Sequence, residues 1–199
     1  MLLQLETILA FDEAFFSLIN QDLANPFLDA IMPYWREKTT WIPLYIVILI
    51  VSYLQFSWKK ALVFIFLLAG TVGIADQISS QWIKKSVQRS RPCNDPSVKD
   101  EVHLLVDCGS GYSFTSSHAT NHFAIAFFIA FALFSTKRLW RILLFLWASI
   151  IAFGQVYVGV HYPLDVTAGA LLGILIGYGI LRLFRYLETR RFLNEKVVV

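Results

Sequence analysis

Charge is what this chain has least of. Only 16% of its 199 residues are Asp, Glu, Lys or Arg, against about 25% in an ordinary soluble domain, while 57% are hydrophobic. With a mean hydropathy of +0.59, that balance excludes a solvated globular surface. A net charge of +3 is too small for a strongly basic, nucleic-acid-binding face. Two cysteines, even with the nearby His103, make an incomplete ligand set and argue against a metal centre. There is no internal repeat and no low-complexity tract. A cationic start followed by an apolar core and a small-residue cleavage site is also missing, so a removable leader is not expected.

What the chain has instead is long apolar runs: Trp41 to Phe56, Ala61 to Ile83, Ala119 to Ser135, Leu139 to Val160 and Leu164 to Leu187. Each is near the ~20 residues that cross a ~30 Å hydrocarbon layer. The expected fold is therefore all-α, a polytopic transmembrane helix bundle of about five spans. Residues 1–40 read differently, because Glu6, Asp12, Glu13, Asp22 and Asp29 interrupt the apolar residues. Phe11, Phe15, Phe16, Leu18 and Ile19 recur at roughly helical spacing opposite the acids, and Asn25-Pro26 marks a break. An N-terminal interfacial amphipathic segment over 1–40 is expected, with a sixth span there as the alternative. Residues 41–187 form the transmembrane domain, with a loop over 84–118, and 188–199 form a tail.

Orientation follows from the cations. Lys59, Lys60, Lys137, Arg138, Arg141, Arg182, Arg185, Arg190, Arg191 and Lys196 fall on one side of a five-span chain, which the positive-inside rule makes cytoplasmic. Arg36, Lys38, Lys84, Lys85, Arg89, Arg91 and Lys99 fall on the other. Cys93 and Cys108 both lie in the loop on that second face, where oxidising surroundings would join them; the alternative is two free thiols. Closing a loop of ~15 residues would stabilise it by roughly 3 kcal/mol.

Three short stretches carry chemistry, each where a span meets water. Lys84 to Pro92 offers Lys84, Arg89 and Arg91 to anionic oxygens, Arg91 as a planar fork and Lys84 as a mobile point charge. Lys85 and Arg89 read more simply as a basic collar on anionic headgroups. Ser116-Ser117-His118 falls at a helix start, where unpaired N–H groups and the macrodipole favour anions. In His161-Tyr162-Pro163-Leu164-Asp165 a carboxylate follows a histidine by four residues, one helical turn, with Pro163 suited to the first turn. The bland alternatives are an interfacial turn, an ordinary serine cap and a headgroup collar.

In this order and at one membrane face, the three motifs resemble the type 2 phosphatidic acid phosphatase superfamily of membrane lipid phosphatases. The resemblance covers about residues 41–187, and the spans exclude its soluble haloperoxidase branch. It implies metal-independent hydrolysis of a lipid phosphate or diphosphate, with no cofactor and no nucleic-acid partner, the oligomeric state staying open. His161 would be the nucleophile, oriented by Asp165, and His118 the general acid. Lys84, Arg91, Ser116, Ser117 and the residue at 155 would bind phosphate. The setting implied is a bacterial-type inner membrane with the site facing the periplasm or exterior.

The chain also departs from that pattern. Thr115 stands where a proline is usual, Ser117 where a glycine is usual, and Gly154-Gln155 where serine and arginine are usual. Gln155 keeps donors but loses charge, so phosphate binding should weaken unless Arg89 or Lys85 substitutes, and restoring arginine at 155 should raise turnover. The same loss prompts an alternative, a non-catalytic lipid-phosphate binder. Undecaprenyl diphosphate, phosphatidylglycerophosphate, phosphatidic acid and the phosphates of lipid A are the candidate substrates, isoprenoid carrier recycling being mildly favoured by analogy. His122, one turn after His118, is expected to support or pack, and His103 to be solvated. Asp76, within the second span, reads as a polar anchor rather than a transporter's proton site. Gly169, Gly173 and Gly177 read as a helix-packing face.

Overall fold

The computed structural model describes residues 2–189, and among them every regular element is helical. Helix α1 (Leu2–Ser17) continues through a π-helical turn at Leu18–Asp22. Helix α2 (Pro26–Trp35) begins where the Asn25 side chain accepts the Leu28 N–H at 3.0 Å, with proline in the first turn where its missing N–H is no loss. A 3-10 turn (Lys38–Trp41) leads into α3 (Ile42–Gln55). Helix α4 (Trp58–Asp76) runs through a π-helical stretch (Gln77–Ile83) into the short α5 (Lys84–Val87). After a long loop come α6 (Ser117–Ala132), α7 (Arg138–Tyr157) and α8 (Pro163–Thr189).

The protein is an all-α, multi-pass membrane bundle. Among the described residues four stretches are long and apolar enough to cross a bilayer: Lys38–Gln55, Trp58–Asn94, Arg138–Tyr157 and Pro163–Thr189. The third of the expected runs forms α6, which at 16 residues is shorter than the ~20 of a full crossing. It packs against α4, α7 and α8, and Ala119, Ala124, Ala126, Phe128, Ile129 and Ala130 are fully buried.

Within lipid the hydrophobic effect does little to hold helices together, so close backbone approach has to. Helix α8 presents Gly169, Gly173 and Gly177 to α6. A Cβ at Gly173 would collide with the Thr120 carbonyl oxygen, one at Gly177 would lie 2.7 Å from that of Ala124, and one at Gly169 2.7 Å from that of Ser116. Below this seam Phe64, Phe128 and Phe184 form an aromatic cluster, Phe64 stacking on Phe128 at 5.1 Å. Gly173→Val is expected to force the two backbones apart, lowering the melting temperature in detergent together with activity. An unchanged melting temperature would contradict this account of the seam.

Two expectations for the ends need correction or restriction. The N-terminal segment does not keep all its acids on the water-facing side opposite the apolar residues. Phe11, Phe15 and Leu18 are exposed, whereas Asp12, Phe16 and Asn20 are buried against the bundle. The reason is polar: Asp12 accepts the Leu164 N–H at 2.8 Å, and Asn20 donates to the carbonyls of Tyr157 and His103 at 2.7 and 2.8 Å. At the opposite end Lys60 pairs with Glu188, joining the start of α4 to the end of α8. The remainder of the expected tail, with Arg190, Arg191 and Lys196, lies outside the described residues.

Candidate active site

The loop from α7 to α8 sets the centre of the site. Helix α7 ends as Gly159 takes φ +86°, a left-handed conformation that glycine adopts freely and that a side chain could not share, since a Cβ there would lie 2.6 Å from Val102 Cγ1. The chain then re-enters a helix at Pro163, which places His161 and Asp165 together in the interior. His161 Nδ1 lies 3.5 Å from Asp165 Oδ2, an electrostatic contact longer than a hydrogen bond. Burial pushes the His161 imidazole down to about 4, outweighing the pull of Asp165, and the charges of Arg91 and Lys84 act in the same direction as burial. At neutral pH the ring is uncharged, as a nucleophile must be.

Asp165 is fully buried and heavily bonded. Its Oδ2 accepts the Tyr162 N–H at 2.8 Å and the Ser113 hydroxyl, and its Oδ1 pairs with Arg89 Nη1 at 2.9 Å. Arg89 reaches further, to Asp12 Oδ2 at 2.6 Å, and lies 4.0 Å above the Tyr162 ring. The expectation that Arg89 belongs to a headgroup collar is therefore corrected: two buried carboxylates from α1 and α8 compete for it and hold it. Lys85 remains exposed.

Lys84 and Arg91 meet at a cavity of about 380 Å³ lined by Ser80, Lys84, Lys85, Arg91, Gly111 and Tyr112 among others. Arg91 spends two N–H groups on carbonyls, donating from Nε to Gly111 and from Nη1 to Val160, both at 3.3 Å. This anchors the guanidinium between the loop and the His161 turn. Cys93 and Cys108 are joined by a disulfide, with Cα atoms 5.9 Å apart, inside the same loop.

Ser116 is the N-cap of α6, its hydroxyl accepting from the Ala119 N–H at 3.4 Å and its own N–H donating to the Asp165 carbonyl at 3.0 Å. Ser116 is fully buried, and these bonds make its first visible role that of a cap and a tie to the start of α8. The next two amides, of Ser117 and His118, are first-turn N–H groups without intrahelical acceptors. The Ser117 hydroxyl lies 3.0 and 2.8 Å from those of Ser79 and Ser80, and Ser80 also donates to Asp76 at 3.2 Å, so Asp76 anchors a hydroxyl chain as expected of a polar anchor. His118, half-buried, is within electrostatic reach of Arg36, His122, His161 and Lys84. His122 is buried, its Nδ1 2.7 Å from the His118 carbonyl and its ring edge-on to Trp147 at 5.1 Å, which is a packing role.

Gln155 is fully buried, and its Oε1 accepts from Arg36 Nε and Nη2 at 3.2 and 3.1 Å. The cation beside Gln155 thus comes from the end of α2, and not from Arg89 or Lys85. His103 is not simply solvated, since its Nε2 lies 3.1 Å from Asp29 Oδ1, which also accepts from the Tyr157 hydroxyl at 2.7 Å. Together these bonds pin the loop to α2.

Residues 58–189 match the model of the PAP2 superfamily. The chain belongs to that superfamily. It is 36% identical over 157 residues to a lipid A 4'-phosphatase of Bacteroides thetaiotaomicron, covering 78% of this chain and 68% of that one. It is 31% identical to the undecaprenyl-diphosphatase BcrC of Bacillus subtilis, covering 87% and 82%. The crystal structure of Aquifex aeolicus LpxE superposes with a TM-score of 0.61 at 27% identity, over 85% of this chain and 93% of that one. As a PAP2 protein with this apolar bundle, the chain is a membrane-embedded lipid phosphatase that hydrolyses phosphate from a membrane lipid.

Around this PAP2 site, sequence reasoning missed the roles of Asp12, Arg89, Ser113 and Arg36. Asp12 did leave a signal, because a carboxylate amid Ile8, Phe11, Phe15 and Phe16 is costly unless a cation pairs with it. For Ser113 and Arg36, lying 52 and 119 residues from Asp165 and Gln155, there was none.

Proposed function

We propose that this phosphatase acts at the extracytoplasmic face of a bacterial inner membrane, by double displacement through a phosphohistidine on His161. The observation that carries the reading is a buried, neutral His161 beside Asp165, with His118, Lys84 and Arg91 all electrostatically coupled to the pair. A His161 ring nitrogen attacks phosphorus in line, forming an N–P bond as the P–O bond to the leaving group breaks. His118, whose imidazole is pushed down to about 3 by burial and by the charges of Arg36, His122, His161 and Lys84, takes up a proton as the phosphate anion enters and gives it to the departing oxygen. Water then attacks phosphorus while His118 takes up a proton, and the N–P bond breaks to release phosphate. Lys84, Arg91 and the amides of Ser117 and His118 hold the equatorial oxygens, where charge concentrates in the transition state. Asp165 steadies the imidazolium character that develops on His161.

The disulfide supports an oxidising side for the loop 84–118, and the cations at Lys59, Lys60, Lys137, Arg138 and Arg141 support the opposite end as cytoplasmic. For substrate, the identity to a lipid A 4'-phosphatase favours a lipid A phosphate, and the identity to BcrC favours undecaprenyl diphosphate as the second reading. Phosphate release by the purified protein in detergent with EDTA, offered lipid A, undecaprenyl diphosphate, phosphatidylglycerophosphate and phosphatidic acid, tests both. Chelator-resistant release, highest on lipid A, is expected. Binding of these lipids without release from any would establish the non-catalytic binder instead.

A further inference from the structure

Among the described residues Arg36 has no carboxylate within ion-pair distance. It follows α2 directly and is half-buried, and its hydrogen-bond acceptor is the neutral amide oxygen of Gln155, gripped by Nε at 3.2 Å and Nη2 at 3.1 Å. A guanidinium has five N–H donors, and this grip occupies two. The one acid acting on it is its chain neighbour Glu37, while Arg91 repels it. Its charge in turn reaches His118, which Lys84 also reaches. Arg36, Arg91 and Lys84 therefore bear on one part of the site, and Asp165, the buried carboxylate that acts on Lys84 and Arg91, is already shared among Arg89, Ser113 and Tyr162. Half-buried like charges that repel one another are costly unless an anion joins them.

The packing shows why the arginine can come from so far away in sequence. Helix α7 carries glycine at 154, where a Cβ would lie 3.5 Å from Arg36 Cβ and 3.7 Å from Met32 Sδ, so α2 rests closely on the turn before Gln155. The two neighbouring departures noted in the sequence, Gly154 and Gln155, thus both face the same side chain. Gln155 Nε2 is buried with no protein partner, a second donor left open at this point.

We infer that Arg36 is a phosphate-binding residue of this enzyme, clamped by Gln155 so that its remaining N–H groups and Gln155 Nε2 receive an oxygen of the lipid phosphate. The inference rests on the phosphatase reading for its substrate, but the anion site it describes can be tested without turnover. It also reverses the expectation that arginine at 155 raises activity, because Gln155→Arg would set two guanidiniums against each other in the interior.

Two measurements are needed on the full-length protein in detergent: stabilisation against thermal unfolding by inorganic phosphate, and kcat and KM on the best lipid substrate. Arg36→Gln should raise the phosphate concentration needed for half-maximal stabilisation, and lower kcat/KM, by roughly tenfold to a hundredfold, the worth of one charge-assisted bond. Arg36→Gln combined with Gln155→Arg should recover much of both, whereas Gln155→Arg alone should be worse than wild type in both. A merely structural clamp would lower the melting temperature of Arg36→Gln while leaving its phosphate dependence unchanged, and that result overturns the assignment. Should Arg36→Gln fail to fold, the remaining pair decides. A double variant better than Gln155→Arg alone supports a single shared cation position, and a double variant no better overturns it. If no lipid is turned over but phosphate stabilisation is still weakened in Arg36→Gln, the phosphatase reading fails and the anion site stands.

Discussion

His161→Ala is expected to reduce phosphate release to background, a loss of roughly 10⁴-fold or more, as when a nucleophile acting in a coupled set is removed. The expectation is specific because the melting temperature should fall only by what the cavity left by a fully buried ring costs, with the fold retained. His161 is held uncharged in a buried position where its Nδ1 has no hydrogen-bond partner, so its removal leaves no broken bond behind. Asp165 keeps Arg89, Ser113 and the Tyr162 N–H. Activity measured beside thermal unfolding separates the two effects. Turnover of His161→Ala within tenfold of wild type, a margin of about 1.4 kcal/mol in barrier, would remove His161 from the chemistry.

Arg89→Met should be the most damaging change away from the reacting atoms. Asp12 and Asp165 are both buried, and Arg89 is the side-chain cation between them, 2.6 Å from one and 2.9 Å from the other. Breaking a buried pair by deleting one partner typically costs about 3–5 kcal/mol, and here one cation serves two acids. The result expected is a large drop in melting temperature with loss of activity. Adding Asp12→Asn should recover part of the stability, since one of the two stranded charges is gone, without recovering the activity. Were Arg89 only a contact for anionic headgroups, Arg89→Met would raise KM and leave thermal stability alone.

How much of the fold and site was legible in the sequence depended on distance along the chain. The membrane bundle followed from the length of the apolar runs, and the short spacing of His161 and Asp165 brought the two together, because each signal is local, although His161 precedes α8 rather than sharing a helical turn with Asp165. The glycine seam at 169, 173 and 177 was legible for the same reason. What could not be read were contacts that only tertiary packing creates. Asp12 looked like an interruption of an interfacial helix until α1 was laid against the start of α8. Arg89 looked like a surface cation because its two carboxylates lie 77 and 76 residues away. Ser116 sits where its motif puts it, and the same helix start that offers amides to an anion uses its hydroxyl as a cap. Gln155 looked like a deficit, yet its oxygen holds an arginine that no linear motif could have associated with it.

The most direct test of the chemistry is to trap the intermediate. Protein mixed with substrate and quenched within a single turnover in alkaline detergent, where phosphohistidine survives, can be digested and its peptides weighed. The result expected is phosphate on the peptide carrying His161, absent from His161→Ala. Phosphate release at full rate with no phosphorylated peptide at any time, or with phosphate carried on His118, would contradict the double displacement.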